Sequence, residues 1–172
     1  LQTFKEVKLI KLLPDVDTGI DDALALFFLS EAQKQWQLEI LGCTTVGGNA
    51  EVAQTSRNTL KIWEMAGAEI PVASGAERPL LSSLNTAPLV HGDDGLGNTF
   101  LSPPKESPSE ESAADMILRI SHQHAGELTL LTTAPLTNLG AALLHDPTLA
   151  GRIRNLVCMG GAVFTGNVSA VA

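Results

Sequence analysis

An α/β fold, a largely parallel sheet flanked by helices, is what this chain predicts, and three observations carry the prediction. Short apolar segments of strand character alternate with segments of helical spacing from one end of the chain to the other. The joints that follow the apolar segments hold Asp, Asn and Gly, as at Asp15, Gly47-Gly48-Asn49 and Gly160-Gly161. A length of 172 residues with 44% hydrophobic content suffices for one domain with a sizeable core, and no internal repeat or second domain is visible.

Residues 7–13 read as the first strand. Pro14 cannot continue the hydrogen-bond ladder of a central strand, so a loop carrying the aspartates is expected there. Asp21 opens a helix through about Gln35, with Ala23, Leu24, Leu26, Phe27 and Phe28 expected to form a broad buried face. Its early carboxylates suit the positive helix end. Residues 38–46 form the second strand, residues 51–66 a second helix stopped by Gly67, and residues 71–74 a third strand. Residues 75–109 show little periodicity and contain His91-Gly92-Asp93-Asp94-Gly95-Leu96-Gly97-Asn98; loops of that length are usually functional or disordered. Residues 102–112 read as a surface connector. A helix over 110–125, a strand over 127–132, a helix over 135–145 with proline in its first turn, and a strand over 155–159 complete the series. No closing helix follows, and a parallel sheet needs both faces covered. The chain is therefore expected to be truncated at the C-terminus, residues 1–172 being the N-terminal part of a single catalytic domain.

Charge and composition narrow the function. Lys+Arg 11 against Asp+Glu 19 gives net charge −8, which repels phosphate backbones and anionic lipid surfaces, so no nucleic-acid and no membrane partner is expected. No apolar stretch reaches the roughly 20 residues a bilayer span needs, and the first residues alternate charged with apolar side chains, so a cytoplasmic location is expected. Cys43 and Cys158 lie in apolar strand segments and read as buried, reduced thiols.

In α/β sheets the ligand site lies beyond the carboxyl ends of the strands, so what each strand delivers there matters most. The first delivers Asp15, Asp17, Asp21 and Asp22, four carboxylates within eight positions, more negative charge than a loop holds together without a cation. Oxygen ligands imply a hard metal, and flexible spacing favours calcium over strictly octahedral magnesium, with Asp17 and Asp22 reaching one ion from opposite sides of a turn at Gly19. The plainer alternative, a solvated helix-capping turn, fits a lone Asp-Asp pair better than it fits four carboxylates. The second strand delivers Asn49 after two glycines, placed to meet a ligand or to cap the next helix. The strand over 127–132 delivers Thr133, whose carbonyl can enter a metal shell, while Asn138 reads as support for the local turn. The last strand delivers Met159, Gly160-Gly161 and then Asn167; the glycine pair suggests close approach of a ligand or backbone. His91 is the histidine best placed for function, whereas His122, His124 and His145 read as surface or capping residues.

These residues resemble the inosine-uridine-preferring nucleoside hydrolases. The family's opening Asp-x-Asp-Pro-Gly-x-Asp-Asp-Ala is matched by Asp15-Val16-Asp17-Thr18-Gly19-Ile20-Asp21-Asp22-Ala23, with Thr18 in place of the common proline. Stretches 44–49, 55–67, 70–80, 91–97, 135–138 and 159–167 are similar in the same order, and several ordered motifs together are specific where each alone is weak. The resemblance implies water-driven cleavage of the N-glycosidic bond of ribonucleosides to ribose and free base. By resemblance, Asp17 binds a calcium-held water as general base, Asp22 clamps calcium and Thr133 lends its carbonyl. Asp21 holds a ribose hydroxyl, Asn49 and Asn167 bind ribose or orient groups near it, Met159 lines the sugar pocket, His91 lies near the base, and Asp15 supports the cluster from behind. It further implies a homo-oligomer, with the leaving-group machinery and another metal-binding aspartate supplied by a C-terminal half, so the chain alone is expected to bind calcium weakly and turn over slowly or not at all. Two other readings stay open: a ribose- or nucleoside-binding relative without catalysis, and a haloacid-dehalogenase-type phosphatase using Asp15 as nucleophile with magnesium. Against the second, the helix starts at once after the loop, and no downstream Ser/Thr strand end or lysine stands out.

Overall fold

The structure, a computed structural model, describes residues 9–164 and 166. Its elements run β1 (Ile10–Val16), α1 (Ile20–Gln35), β2 (Leu38–Ile40), β3 (Cys43–Thr45), α2 (Val52–Ala66), β4 (Val72–Ser74), α3 (Pro88–His91), α4 (Ala113–Gln123), β5 (Leu128–Thr132), α5 (Thr137–His145), a 3₁₀ turn (Pro147–Gly151) and β6 (Ile153–Cys158). Every pairing between these strands is parallel, in the order β4-β3-β1-β5-β6, with β2 also against β1. The expected α/β architecture is thus the observed one. The expected strand start at residues 7 and 8, and Asn167, lie outside the described residues.

Strand alternation divides the core into two layers. Leu12 and Val16 join Leu26 and Leu29 of α1 and Leu60 and Trp63 of α2. Leu13 points the other way, into Met116, Ile117 and Ile120 of α4 with Leu139 and Ala142 of α5. Each fully buried Leu or Ile here contributes about 1.5–3 kcal/mol of transfer free energy, which is what fixes the helices over the sheet. Gly67 ends α2 in the left-handed conformation at φ 65°, as its position after the last apolar residue predicts.

Pro14 corrects the reading that the first strand ends before it. β1 continues through Asp15, paired on both sides, and Val16, paired with β3. The even residues of β1 turn their backbone groups toward β2 and β3: Ile10 N–H donates to Gln37, the Leu12 carbonyl accepts from Leu41, and the Val16 carbonyl accepts from Val46. Pro14 therefore presents its missing N–H at residues 41–42, where the single strand expected over 38–46 is interrupted into β2 and β3. A central proline is tolerated because its neighbour is broken beside it.

Two further expectations fail for one physical reason each. Leu24 and Phe28, read as buried, are 72% and 57% exposed, because with Ile20 they lie four residues apart on the outward face of α1, opposite Ala23, Leu26 and Leu29. Cys158, read as buried, is exposed on β6, the outer strand of the sheet, over which no described element packs closely; Cys43 is buried as expected, and both thiols are free. Residues 102–112 do more than connect: Ser109 N–H donates to the Val72 carbonyl and residue 109 runs parallel beside Ala73. No helix among the described residues is long and apolar enough to cross a membrane.

Candidate active site

The carboxyl ends of β1, β3 and β5 bring the predicted residues together. Asp17 follows β1 directly; its Oδ2 accepts from the Asn49 backbone N–H at 2.7 Å. This approach needs glycine at 48, since a β-carbon there would collide with Asp17 Oδ2. Asp22, in the first turn of α1, accepts from the Thr133 hydroxyl at 2.6 Å and more weakly from Gly19 N–H at 3.5 Å, which also caps the helix. Asn49 does not cap α2, whose N-cap is Glu51. Gly19 is required for space: a β-carbon would stand 2.6 Å from His91 Nδ1 and 2.8 Å from Asn49 Nδ2.

His91 ends α3, and its Nδ1 accepts from Ile20 N–H at 3.2 Å, so the neutral ring carries its proton on Nε2. Asp21 lies 4.0 Å from the same Nδ1 with its side chain 60% exposed, open to a ligand. Asp94 ties down the loop behind His91, accepting from the backbones of Leu96, Asn98 and Phe100, and these bonds hold it below the usual carboxylate range against the cost of burial. Met159 donates its N–H to the Thr132 carbonyl at 2.8 Å, which places it at the same end of the sheet, the residue 58% exposed. Gly161 adopts φ 79°, which favours glycine, while no described atom lies within 4 Å of a β-carbon there, so conformation rather than crowding explains it.

The electrostatics are those of charge forced together. Burial, then the charge of Asp22, raises Asp17 to about 7. Burial raises Asp22 as well, with Asp21 adding to it against the Thr133 hydrogen bond. Asp15 is wholly buried, and burial lifts it to about 6 although Asn138 and Thr44 donate to its Oδ1 at 2.8 and 2.7 Å. Among the described residues its Oδ2 has no hydrogen-bond partner. None of the ion pairs among the described residues involves Asp15, Asp17 or Asp22. Two facing carboxylates without a counter-charge hold either a shared proton or a cation.

Sequence reasoning missed the polar contacts that hold this turn. The Thr18 hydroxyl meets that of Thr59 at 2.6 Å, and Asn58 Nδ2 donates to the carbonyls of Thr18 and Asp94. Asn138, read as support for a local turn, instead bridges three strand ends. The available signal was a run of hydroxyl and amide side chains inside an otherwise apolar frame: Thr44, Thr45, Thr55, Ser56, Asn58 and Thr59.

Compared with known sequences, residues 12–172 match the profile described as inosine-uridine preferring nucleoside hydrolase. The chain belongs to that family. It is 41% identical over 165 residues to uridine nucleosidase 1 of Arabidopsis thaliana, covering 94% of this chain and 48% of that protein. To the inosine-uridine preferring nucleoside hydrolase of Leishmania major it is 34% identical, covering 94% and 52%. Among solved structures, a plant nucleoside hydrolase superposes with a TM-score of 0.89 at 36% identity, over 96% of this chain and 52% of that one. A purine-preferring ribonucleoside hydrolase from Gardnerella vaginalis gives 0.85 at 32% identity, over 93% and 52%. The chain thus spans about half the length of the family members it matches. Membership speaks against the phosphatase alternative, and the matched range includes the acidic turn.

Proposed function

We propose that the intact protein, of whose single catalytic domain residues 1–172 form the N-terminal part, hydrolyses the N-glycosidic bond of ribonucleosides to ribose and free base. Asp17 is its general base. The observation that carries this reading is the Asp17–Asp22 pair, buried without a cationic partner among the described residues, at the strand ends where α/β folds bind ligands. Relatives named as uridine and inosine-uridine nucleoside hydrolases point to the same substrate class.

The atoms present fit a hard cation in part. Among the described residues no group of three or more His, Cys, Asp or Glu is placed to hold a metal ion, but Asp17, Asp22 and the Thr133 carbonyl offer oxygen donors only, and the orphaned Asp15 Oδ2 leaves negative potential behind them. Such a set suits calcium. When bound, calcium would supply positive charge that lowers the pKa of water beside Asp17. Asp17 takes a proton from the attacking water as its oxygen bonds to C1′, and the C1′–N bond breaks with its electron pair leaving on the base; the base takes up a proton from solvent and Asp17 returns its own to solvent. The carboxylates stabilise the oxocarbenium character that C1′ acquires. Asp21, the most open of the four, accepts from a ribose hydroxyl; Asn49 and Asn167 bind the sugar, Met159 lines it, and His91 faces the base. Asp15 stands behind Asp17 and Asp22.

Release of reducing sugar from uridine and from inosine, with calcium present, tests the reading and ranks the bases. Asp17→Asn is expected to lower kcat roughly 100- to 10,000-fold. Wild-type turnover in a folded Asp17→Asn protein would end the assignment. The net charge of −8 disfavours nucleic-acid and membrane partners; the proposed form is a cytoplasmic homo-oligomer, whose oligomeric state sedimentation tests.

A further inference from the structure

Asn138 lies in the first turn of α5 and is 1% exposed. Its Nδ2 donates to Asp15 Oδ1 at 2.8 Å and to the Thr45 carbonyl at 2.9 Å, while its Oδ1 accepts from Ala76 N–H at 2.9 Å. Both partners of the nitrogen can only accept and the partner of the oxygen can only donate, so a single amide orientation satisfies all three. The space around it is filled: a β-carbon on Gly75 would collide with Asn138 Oδ1.

The three partners sit where β1, β3 and β4 end, and each end leads to a hydrogen bond on the acidic pair. Asp15 precedes Asp17 by two residues, and its carbonyl accepts from Thr133 N–H at 3.1 Å, while the Thr133 hydroxyl holds Asp22. Beyond Thr45, Gly47 N–H donates to the Ala76 carbonyl at 2.9 Å, and Asn49 N–H then reaches Asp17. A change in the separation of these ends moves a partner of Asp17 or Asp22.

We propose that Asn138 is a positioning residue that fixes the separation of the carboxyl ends of β1, β3 and β4 and thereby holds Asp17 and Asp22 in working geometry. It touches neither of them and acts through Asp15, Thr45 and Ala76. Aspartate cannot replace it, because a second oxygen would face Asp15 Oδ1 and the Thr45 carbonyl. For its kinetic readout the proposal rests on the nucleoside-hydrolase reading.

The test uses Asn138→Ala and Asn138→Asp in the intact protein, with kcat, KM, Tm and calcium affinity by calorimetry. Loss of a residue that orients metal ligands typically costs 10- to 100-fold, so kcat per folded molecule is expected to fall by about that factor, with KM within about threefold of wild type. In an Asp15→Ala background, which removes the acceptor of one of Asn138's three hydrogen bonds, the Asn138→Ala penalty is expected to shrink by about threefold or more, because part of its effect runs through Asp15. A purely structural Asn138 lowers Tm but leaves kcat per folded molecule and calcium affinity untouched, and that result overturns the proposal. If Asn138→Ala does not fold, Asn138→Ser, which keeps one hydrogen-bonding group, carries the same expectations. Asp17→Asn separates the two claims: full activity in that variant sinks the catalytic reading. If the wild type cleaves no ribonucleoside, Asn138 is judged on calcium affinity alone, where about tenfold weakening supports it and unchanged affinity refutes it.

Discussion

At the carboxyl ends of the strands, Asp15, Asp17 and Asp22 are buried against one another with no ion-paired cation among the described residues, and all three are raised above the usual carboxylate range. At the opposite end of the sheet, just before β6, Asp146 has everything the others lack. It accepts from the Thr148 hydroxyl at 2.6 Å and backbone at 2.9 Å, and from Arg152 at 2.7 Å; the Thr148 hydroxyl first, then Arg152, draw it down to about 2. Arg152 also donates to Ser121 of α4, so the cluster ties α4, the 3₁₀ turn and β6 together. Both clusters are perturbed, in opposite directions. A lowered carboxylate is a satisfied one and staples the fold; raised carboxylates crowded without a counter-charge mark a place where a ligand is to complete the balance.

Gly48→Ala breaks the contrast at its most exposed point. The added methyl must displace Asp17 Oδ2 or the Asn49 amide that holds it. Misplacing a reacting group by about 1 Å costs on the order of 100-fold, so kcat is expected to fall by that factor. The methyl overlaps a buried side chain, and such overpacking costs about 1–3 kcal/mol, so Tm should fall by roughly 2–10 °C in a domain of this size while the folded protein still loses kcat. Steady-state kinetics beside a thermal scan checks both, and a large Tm drop with kcat intact would show that residue 48 serves the fold instead.

The fold and the site were legible to different depths. The order of strands and helices, the glycine stop at Gly67 and the convergence of Asp17, Asp22, Asn49, His91 and Thr133 all follow from local periodicity and from the rule that strand ends deliver ligands. Pro14 was misread because its cost depends on which side of β1 its nitrogen faces and on the break between β2 and β3, 27 residues on at Leu41, that lies opposite it. The outward apolar face of α1 was misread because Ile20, Leu24 and Phe28 have the same chemistry as the inward face, and only packing distinguishes them. Asn138 was undervalued because its partners, Asp15, Thr45 and Ala76, are local in space and remote in sequence.

Stability against pH sharpens the comparison. In chelator, Asp15 at about 6 and Asp17 at about 7 bind protons more tightly folded than unfolded, where 3.8 is the ordinary value, and Asp22 shifts the same way. Their contribution is therefore full below about 3.8 and is lost as pH rises through about 6 and 7. Calcium, binding the ionised pair, should restore it, so the gain in Tm on adding calcium is expected to be several degrees larger near pH 8 than near pH 5. Paired thermal scans measure this directly, and an equal gain at both pH values contradicts the placement of calcium on Asp17 and Asp22.

The smallest effect expected is at the staple. Asp146 is lowered, so its contribution is present above about 3.8 and is lost as pH falls through about 2, the reverse of the acidic turn. Solvent screens this cluster, and surface ion pairs contribute little, so Asp146→Asn should lower Tm by no more than about 4 °C. Because Arg152 keeps its bonds to Ser121 and Thr148, the turn stays anchored and kcat should not change. The informative readout is the acid limb of Tm against pH: in wild type it should steepen below about pH 4, and in Asp146→Asn that part of the slope should be gone. If the variant instead keeps the wild-type acid limb, the lowered Asp146 is not the group that responds there, and the opposition between a satisfied staple and an unsatisfied site loses its acidic half.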